Sequence, residues 1–112
     1  MSSNFEYLDD AQLKSMFPNG SNPDENVVIV DIRSTGEYAA EYIAGSVNLP
    51  LDELLTQDKN QFKEKVVVFH CKGGVRTKNN QHILEMFATK KSYSMAGGIE
   101  QWKSCNQPVK TS

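Results

Sequence analysis

The segment VVVFHCKGGVRT, residues 66–77, ends an apolar run near a cysteine, Cys71. Lys72 and the pair Gly73-Gly74 follow, and Arg76 stands five positions after the cysteine. Glycine lacks a Cβ, so the loop around Gly73 and Gly74 can take conformations closed to other residues and turn successive backbone N–H groups inward as an anion nest. A helix starting near Arg76 would add its unpaired N–H groups and the positive end of its dipole. A thiol placed there has its thiolate favoured by the helix start and by Lys72 and Arg76, which makes Cys71 a candidate nucleophile. Free cysteines more often serve as small hydrophobes, a role that suits Cys105, near Trp102, much better.

The elements that must hold this loop read as an alternation. VVIVDI (residues 27–32) and VVVFH (residues 66–70) are continuous apolar, β-branched runs, as expected for parallel strands covered on both faces. Residues 34–42 read as a helix started by Ser34 with Glu37 at the capping-box position, and residues 77–88 place Ile83, Leu84, Phe87 and Ala88 at helical spacing. A short helix begins at Asp9 or Asp10 and runs to about Phe17, and PNGSNPDEN (residues 18–26) is the best candidate for a disordered loop. SVNLP and SYSM read as further strands, residues 51–55 as a helical turn and residues 99–103 as a final helix. Such alternation implies an α/β fold with a mostly parallel sheet, in which ligands sit outside the carboxyl ends of the strands. Cys71 is therefore expected at the bottom of a shallow pocket at that edge.

Composition narrows the function classes. The chain has 112 residues, the size of one domain, so residues 1–112 are read as a single unit. No apolar run is long enough to span a membrane, and MSSNFEYLDD lacks the basic start and apolar stretch of a secretory signal, so a cytoplasmic location is expected. Twelve basic against fourteen acidic residues argue against a nucleic-acid partner, which needs a positive face. Cys71, Cys105, His70 and His82 show no metal-ligand spacing, so neither a metal nor another cofactor is expected.

Four motifs in order, VDIRSTGEY, YIAGSVNLP, HCKGGVRT and AGGIEQW, resemble those of the single-domain rhodanese-like sulfurtransferases, over residues 7–102. The resemblance implies a three-layer fold with helices on both faces of a central, mostly parallel sheet. It also implies that Cys71 takes a sulfane sulfur from a donor such as thiosulfate as a persulfide and passes it to a thiophilic acceptor. Carried over by position, Lys72, Gly73, Gly74 and Val75 form the backbone cradle for substrate and Arg76 closes it. The donor is a small anion, or a protein or low-molecular-weight persulfide; oligomeric state is left open. Two departures bear on partner preference: Tyr42 stands where the family often has histidine, and Asn79 and Asn80 follow the loop where small residues are usual.

Neighbouring residues have plainer readings. Asp31 and Arg33 should mainly hold the strand-to-helix turn. His70 should be a hydrogen-bonded core residue, because adjacent strand positions face opposite sides. His82 should be solvated, Thr77 should cap its helix, and Trp102 with Gly97-Gly98 should serve packing and a close turn first. Two other functions compete. Related phosphatases and arsenate reductases place five residues between cysteine and arginine, whereas CKGGVR has four, a tighter pocket better matched to a single sulfur. A non-catalytic binding or regulatory module is the other alternative, although the cysteine, glycines and arginine are all present.

Overall fold

The computed structural model describes residues 5–111; Met1 to Asn4 and Ser112, which the single-domain span and the reading of the first ten residues include, lie outside them. The two apolar runs become adjacent strands. β2 (Val27–Asp31) and β5 (Val66–His70) pair in parallel, with Val30 opposite Phe69 and Asp31 opposite His70. With β1 (Phe5–Leu8), β4 (Val47–Asn48) and β6 (Lys91–Met95) they form a five-stranded sheet of order β1-β6-β5-β2-β4, parallel throughout. The chain leaves β2 toward β4 on one side and β5 toward β6 on the other. Diverging connections leave a crevice at the carboxyl ends of such strands, and Cys71 directly follows the end of β5.

Alternation along the strands sends side chains into two cores. Val30, Ile32, Val67, Phe69 and Cys71 pack with Leu54, Leu84 and Phe87, from the 3-10 turn Leu51–Thr56 and from α4 (Gln81–Leu84) and the chain just after it. Ile29 and Val68 pack on the opposite face with Leu13 and Phe17, from α1 (Asp10–Met16) and its C-cap, and with Ile99 and Trp102 of α5 (Gly98–Ser104). Both faces are covered, which is why β2 and β5 show no polar alternation. The expected three-layer α/β architecture is present. Among the described residues no helix is long and apolar enough to cross a membrane.

Local chemistry sets the helix starts. Asp9 accepts from Gln12 N at 2.8 Å while Gln12 Oε1 accepts from Asp9 N at 2.9 Å, and Ser34 and Glu37 form the same reciprocal box at α2 (Thr35–Ala40). The ends depart from expectation. α2 stops at Ala40 because Glu41 and Tyr42 form β3 (Glu41–Tyr42), antiparallel to β7 (Lys110–Thr111). The helix expected over residues 77–88 begins earlier, as α3 (Val75–Asn79), and breaks at Asn80. There the Asn80 side chain donates to Arg76 O at 2.8 Å, and this local bond competes with helix continuation. The stretch 18–26 is not simply a loose loop, since Pro18–Gly20 forms a 3-10 turn and Gly20 N donates to Gln107 Oε1 at 3.0 Å.

Asp31 and Arg33 hold the exit from β2, as expected. The buried Asp31 carboxylate accepts from Arg33 N at 2.9 Å, from Nε at 3.0 and 3.1 Å and from Nη2 at 2.7 Å, and Nη2 also donates to Glu41 O at 2.6 Å. Removing one partner from such a buried pair leaves an uncompensated charge. Asp31→Ala should therefore lower the unfolding free energy by about 3–5 kcal/mol in urea denaturation; an unchanged midpoint would mean that the pair does not hold the turn.

Candidate active site

Beyond β5 the chain turns back over Cys71. Gly74 takes the left-handed region at φ 99°, and its N–H donates to Cys71 Sγ at 3.0 Å. α3 starts at the next residue, with Gly74 as its N-cap. A Cβ on Gly74 would lie 2.0 Å from Ala96 O, so glycine is required by both conformation and space. Thr77 Oγ1 donates to Gly74 O at 2.9 Å and stands 3.9 Å from Sγ. Thr77 thus lies inside α3 bracing the turn, and does not cap the helix as expected.

The other half of the loop is fixed by α5. Ile99 N donates to Cys71 O at 2.9 Å and Glu100 N to Lys72 O at 3.1 Å. In a trans peptide the carbonyl and the following N–H point opposite ways, and no cis bond occurs among the described residues. With both carbonyls drawn to α5, the N–H groups of Lys72 and Gly73 point away from it. Gly98, at φ 64°, makes this approach possible, because a Cβ there would lie 2.5 Å from both Cys71 O and Lys72 O. Its role was read from sequence only as a close turn; the contact that demands it joins residues 27 positions apart and leaves no local trace.

Arg76 does not close over the thiol with a free guanidinium. Its Nη1 and Nη2 each donate to a Glu37 carboxylate oxygen at 2.8 Å, a bidentate pair at the half-exposed rim. Glu37 also accepts from Ser34 N at 3.1 Å, so one side chain caps α2 and tethers the loop. The Arg76 bonds, reinforced by those from Ser34 and opposed by partial burial, lower the Glu37 pKa to about 2, and Glu37 in turn raises that of Arg76. Lys72 is exposed and makes no ion pair among the described residues; Val75 is 67% exposed beside it. A cleft of about 220 Å³ next to the loop is lined by Arg33, Glu37, Glu41, Lys72, Glu100 and Lys103, where Lys103 donates to Glu41 at 2.9 Å.

Cys71 is more enclosed than expected, only 1% exposed, and it lines neither this cleft nor one of about 310 Å³ bordered by Gly74, Lys78 and Ala96. Alternation sends its side chain into the core that contains Ile32 and Phe69, while the turn folds over it. Cys71, Lys72, Gly73 and Gly74 form this turn, and Val75 and Arg76 open α3 directly after it. His70 is fully buried, as expected of a core histidine, and His82 is exposed. Trp102 is buried and donates Nε1–H to Pro108 O at 2.8 Å, a packing role. Cys105 is half-buried at the C-cap of α5.

Comparison with known proteins agrees with this geometry. Residues 11–105 match the family model described as the rhodanese-like domain. A thiosulfate sulfurtransferase GlpE of Coxiella burnetii is 34% identical over 80 residues, covering 70% of this chain and 74% of that protein. Among solved structures, the Alr3790 protein of Anabaena sp. superposes with a TM-score of 0.75 at 20% identity, over 94% of this chain and 82% of that one. A rhodanese-related protein of Thermoplasma volcanium gives 0.71 at 21% identity, over 94% and 97%. These two share the fold.

Two glycines separate constraint from tolerance. Gly98→Ala should cost about 1–3 kcal/mol through strain and displace the loop, whereas Gly36→Ala, with open space around its Cβ inside α2, should gain about 0.5–1 kcal/mol. Equal midpoints in chemical denaturation would contradict the clash at Gly98.

The rim pair has a pH signature. Because folding lowers the Glu37 pKa, its stabilisation is complete above the ordinary 4.5 and is lost as pH falls from there through about 2. The stability difference between the parent and Glu37→Gln should shrink across that window. A difference that stays constant down to pH 2 would show that Glu37 is not held ionised by Arg76.

Proposed function

We propose that this chain, which belongs to the rhodanese-like domain family, is a sulfurtransferase that carries a sulfane sulfur on Cys71 as a persulfide. The observation that carries the reading is the Gly74 N–H at 3.0 Å from Sγ, in a loop whose Cys71 and Lys72 carbonyls are turned toward α5. A thiolate in such a cradle is a nucleophile, and the same donors stabilise negative charge on a second sulfur attached to it.

The transfer balances without a cofactor. The Cys71 thiolate attacks the outer sulfur of the donor and forms an S–S bond. The donor's own bond to that sulfur breaks and its electron pair leaves on sulfite, for thiosulfate, or on a thiolate, for a persulfide. A thiophilic acceptor then attacks the outer sulfur, and the Cys71 thiolate is released.

The enclosure of Cys71 favours a donor that presents one sulfur end-on. Lys72, without an ion pair among the described residues, supplies positive charge for an anionic donor, and Arg76, tied to Glu37, holds loop shape. Four residues between Cys71 and Arg76 favour sulfur over a tetrahedral phosphoryl group. A non-catalytic module would leave the cradled thiol without a use.

Incubation with thiosulfate should add the mass of one sulfur atom to the parent and nothing to Cys71→Ser. Cysteine-dependent hydrolysis of an aryl phosphate without that mass gain would overturn the assignment.

The two cations should separate kinetically. Lys72→Ala should raise KM for thiosulfate, with the effect fading at high salt. Arg76→Lys should lower kcat at every ionic strength, since an ammonium cannot reproduce the bidentate contact with Glu37. A Lys72→Ala enzyme matching the parent at all salt concentrations would leave anion capture to the backbone alone.

A further inference from the structure

The Cys71 carbonyl receives a second hydrogen bond besides that from Ile99. His70 Nδ1 lies 3.1 Å from Cys71 O, inside the structure and out of contact with solvent. A carbonyl oxygen only accepts, so Nδ1 must carry a proton. Among the described residues Nε2 has no hydrogen-bond partner, and the nearest opposite charge is Asp31 Oδ2 at 3.7 Å, already engaged by Arg33. Burial lowers the His70 pKa, Arg33 acts in the same direction, and Asp31 together with the bond to Cys71 opposes them. The ring is then neutral near pH 7 with its single proton on Nδ1.

We propose that His70 is a positioning residue for the nucleophilic loop: by donating from Nδ1 to Cys71 O it fixes the plane of the Cys71–Lys72 peptide. The effect on chemistry follows from planarity. Holding the carbonyl toward His70 and α5 holds the Lys72 N–H in the opposite direction, so the first N–H after the nucleophile keeps one orientation as the outer sulfur comes and goes. His70 touches no reacting atom. It faces the α5 side of the sheet while Cys71 faces the other, so it acts through the backbone they share and not as a base. The catalytic consequence rests on the sulfurtransferase reading, but the hydrogen bond and its effect on the thiol do not.

Three readouts test it. Nitrogen-15 NMR of the unmodified protein labelled at histidine, with His82→Gln to assign the exposed ring, should show His70 protonated at Nδ1 and bare at Nε2 at pH 7. A proton at Nε2 alone, or a doubly protonated ring, would overturn the proposal whatever the variants do. Asn at position 70 can place an amide N–H where Nδ1 stood, whereas Gln reaches only the Nε2 position. The rate of Cys71 alkylation by iodoacetamide, resolved from Cys105 by peptide mapping, should fall about 10-fold in His70→Leu and His70→Gln and stay within about 3-fold in His70→Asn. The kcat for thiosulfate should follow the same order with KM unchanged. A His70→Gln protein as reactive as His70→Asn, or a His70→Leu protein matching the parent, would overturn the positioning role. If no form transfers sulfur while the alkylation order and the NMR hold, the sulfurtransferase reading fails and the positioning of the thiol stands.

Discussion

Two carbonyls, those of Cys71 and Lys72, lie against the first turn of α5, and most of the site depends on that contact. Ile99 N and Glu100 N are donors that a helix start leaves without intrahelical partners, and the loop supplies acceptors for both. The contact settles two peptide planes at once. Gly98 must be glycine for the chains to approach this closely, and Gly74 must be glycine so that the loop can turn beneath Ala96. The cysteine is thus positioned first by backbone packed on backbone, with the side chains of His70 and of the Arg76–Glu37 pair bracing that arrangement.

Charge around the loop is nearly cancelled. Arg33 is bound to Asp31, Arg76 to Glu37 and Lys103 to Glu41, which leaves Lys72 as the cation of the loop itself without a carboxylate partner among the described residues. An anion arriving here meets little excess positive charge, so in the proposed sulfur transfer the stabilisation of a sulfur anion would fall mainly to fixed N–H dipoles, which need no reorganisation when charge moves.

How far these arrangements could be read from the chain depended on their range. The β-branched runs at β2 and β5, the capping boxes at Asp9 and Ser34, and the loop from Cys71 to Arg76 are local patterns, and each was visible. Asp31 with Arg33, two positions apart, was visible too. Glu37 was recognised as a cap, yet its hold on Arg76 spans 39 positions and no spacing announces it. β1 was missed because an edge strand of four residues carries little pattern, and β3 because its pairing with β7 overrides the end of the expected helix. The break at Asn80 had a local cue in the consecutive asparagines, noted as a departure but not as a helix end. The enclosure of Cys71 came from the turn folding back over it, which composition cannot show.

The all-parallel strand order has a consequence for the way the molecule is made. A chain emerging from its amino end can pair β2 with β4 and then with β5 as soon as these are available, but β1 has no partner until β6 follows. α5 comes later still. Until residues 98–100 dock, Cys71 sits on a finished strand with the Lys72 carbonyl lacking its α5 donor and the Cys71 carbonyl held by His70 alone. The geometry around the Cys71 thiol is therefore a late product of synthesis, completed only after α5 has been made.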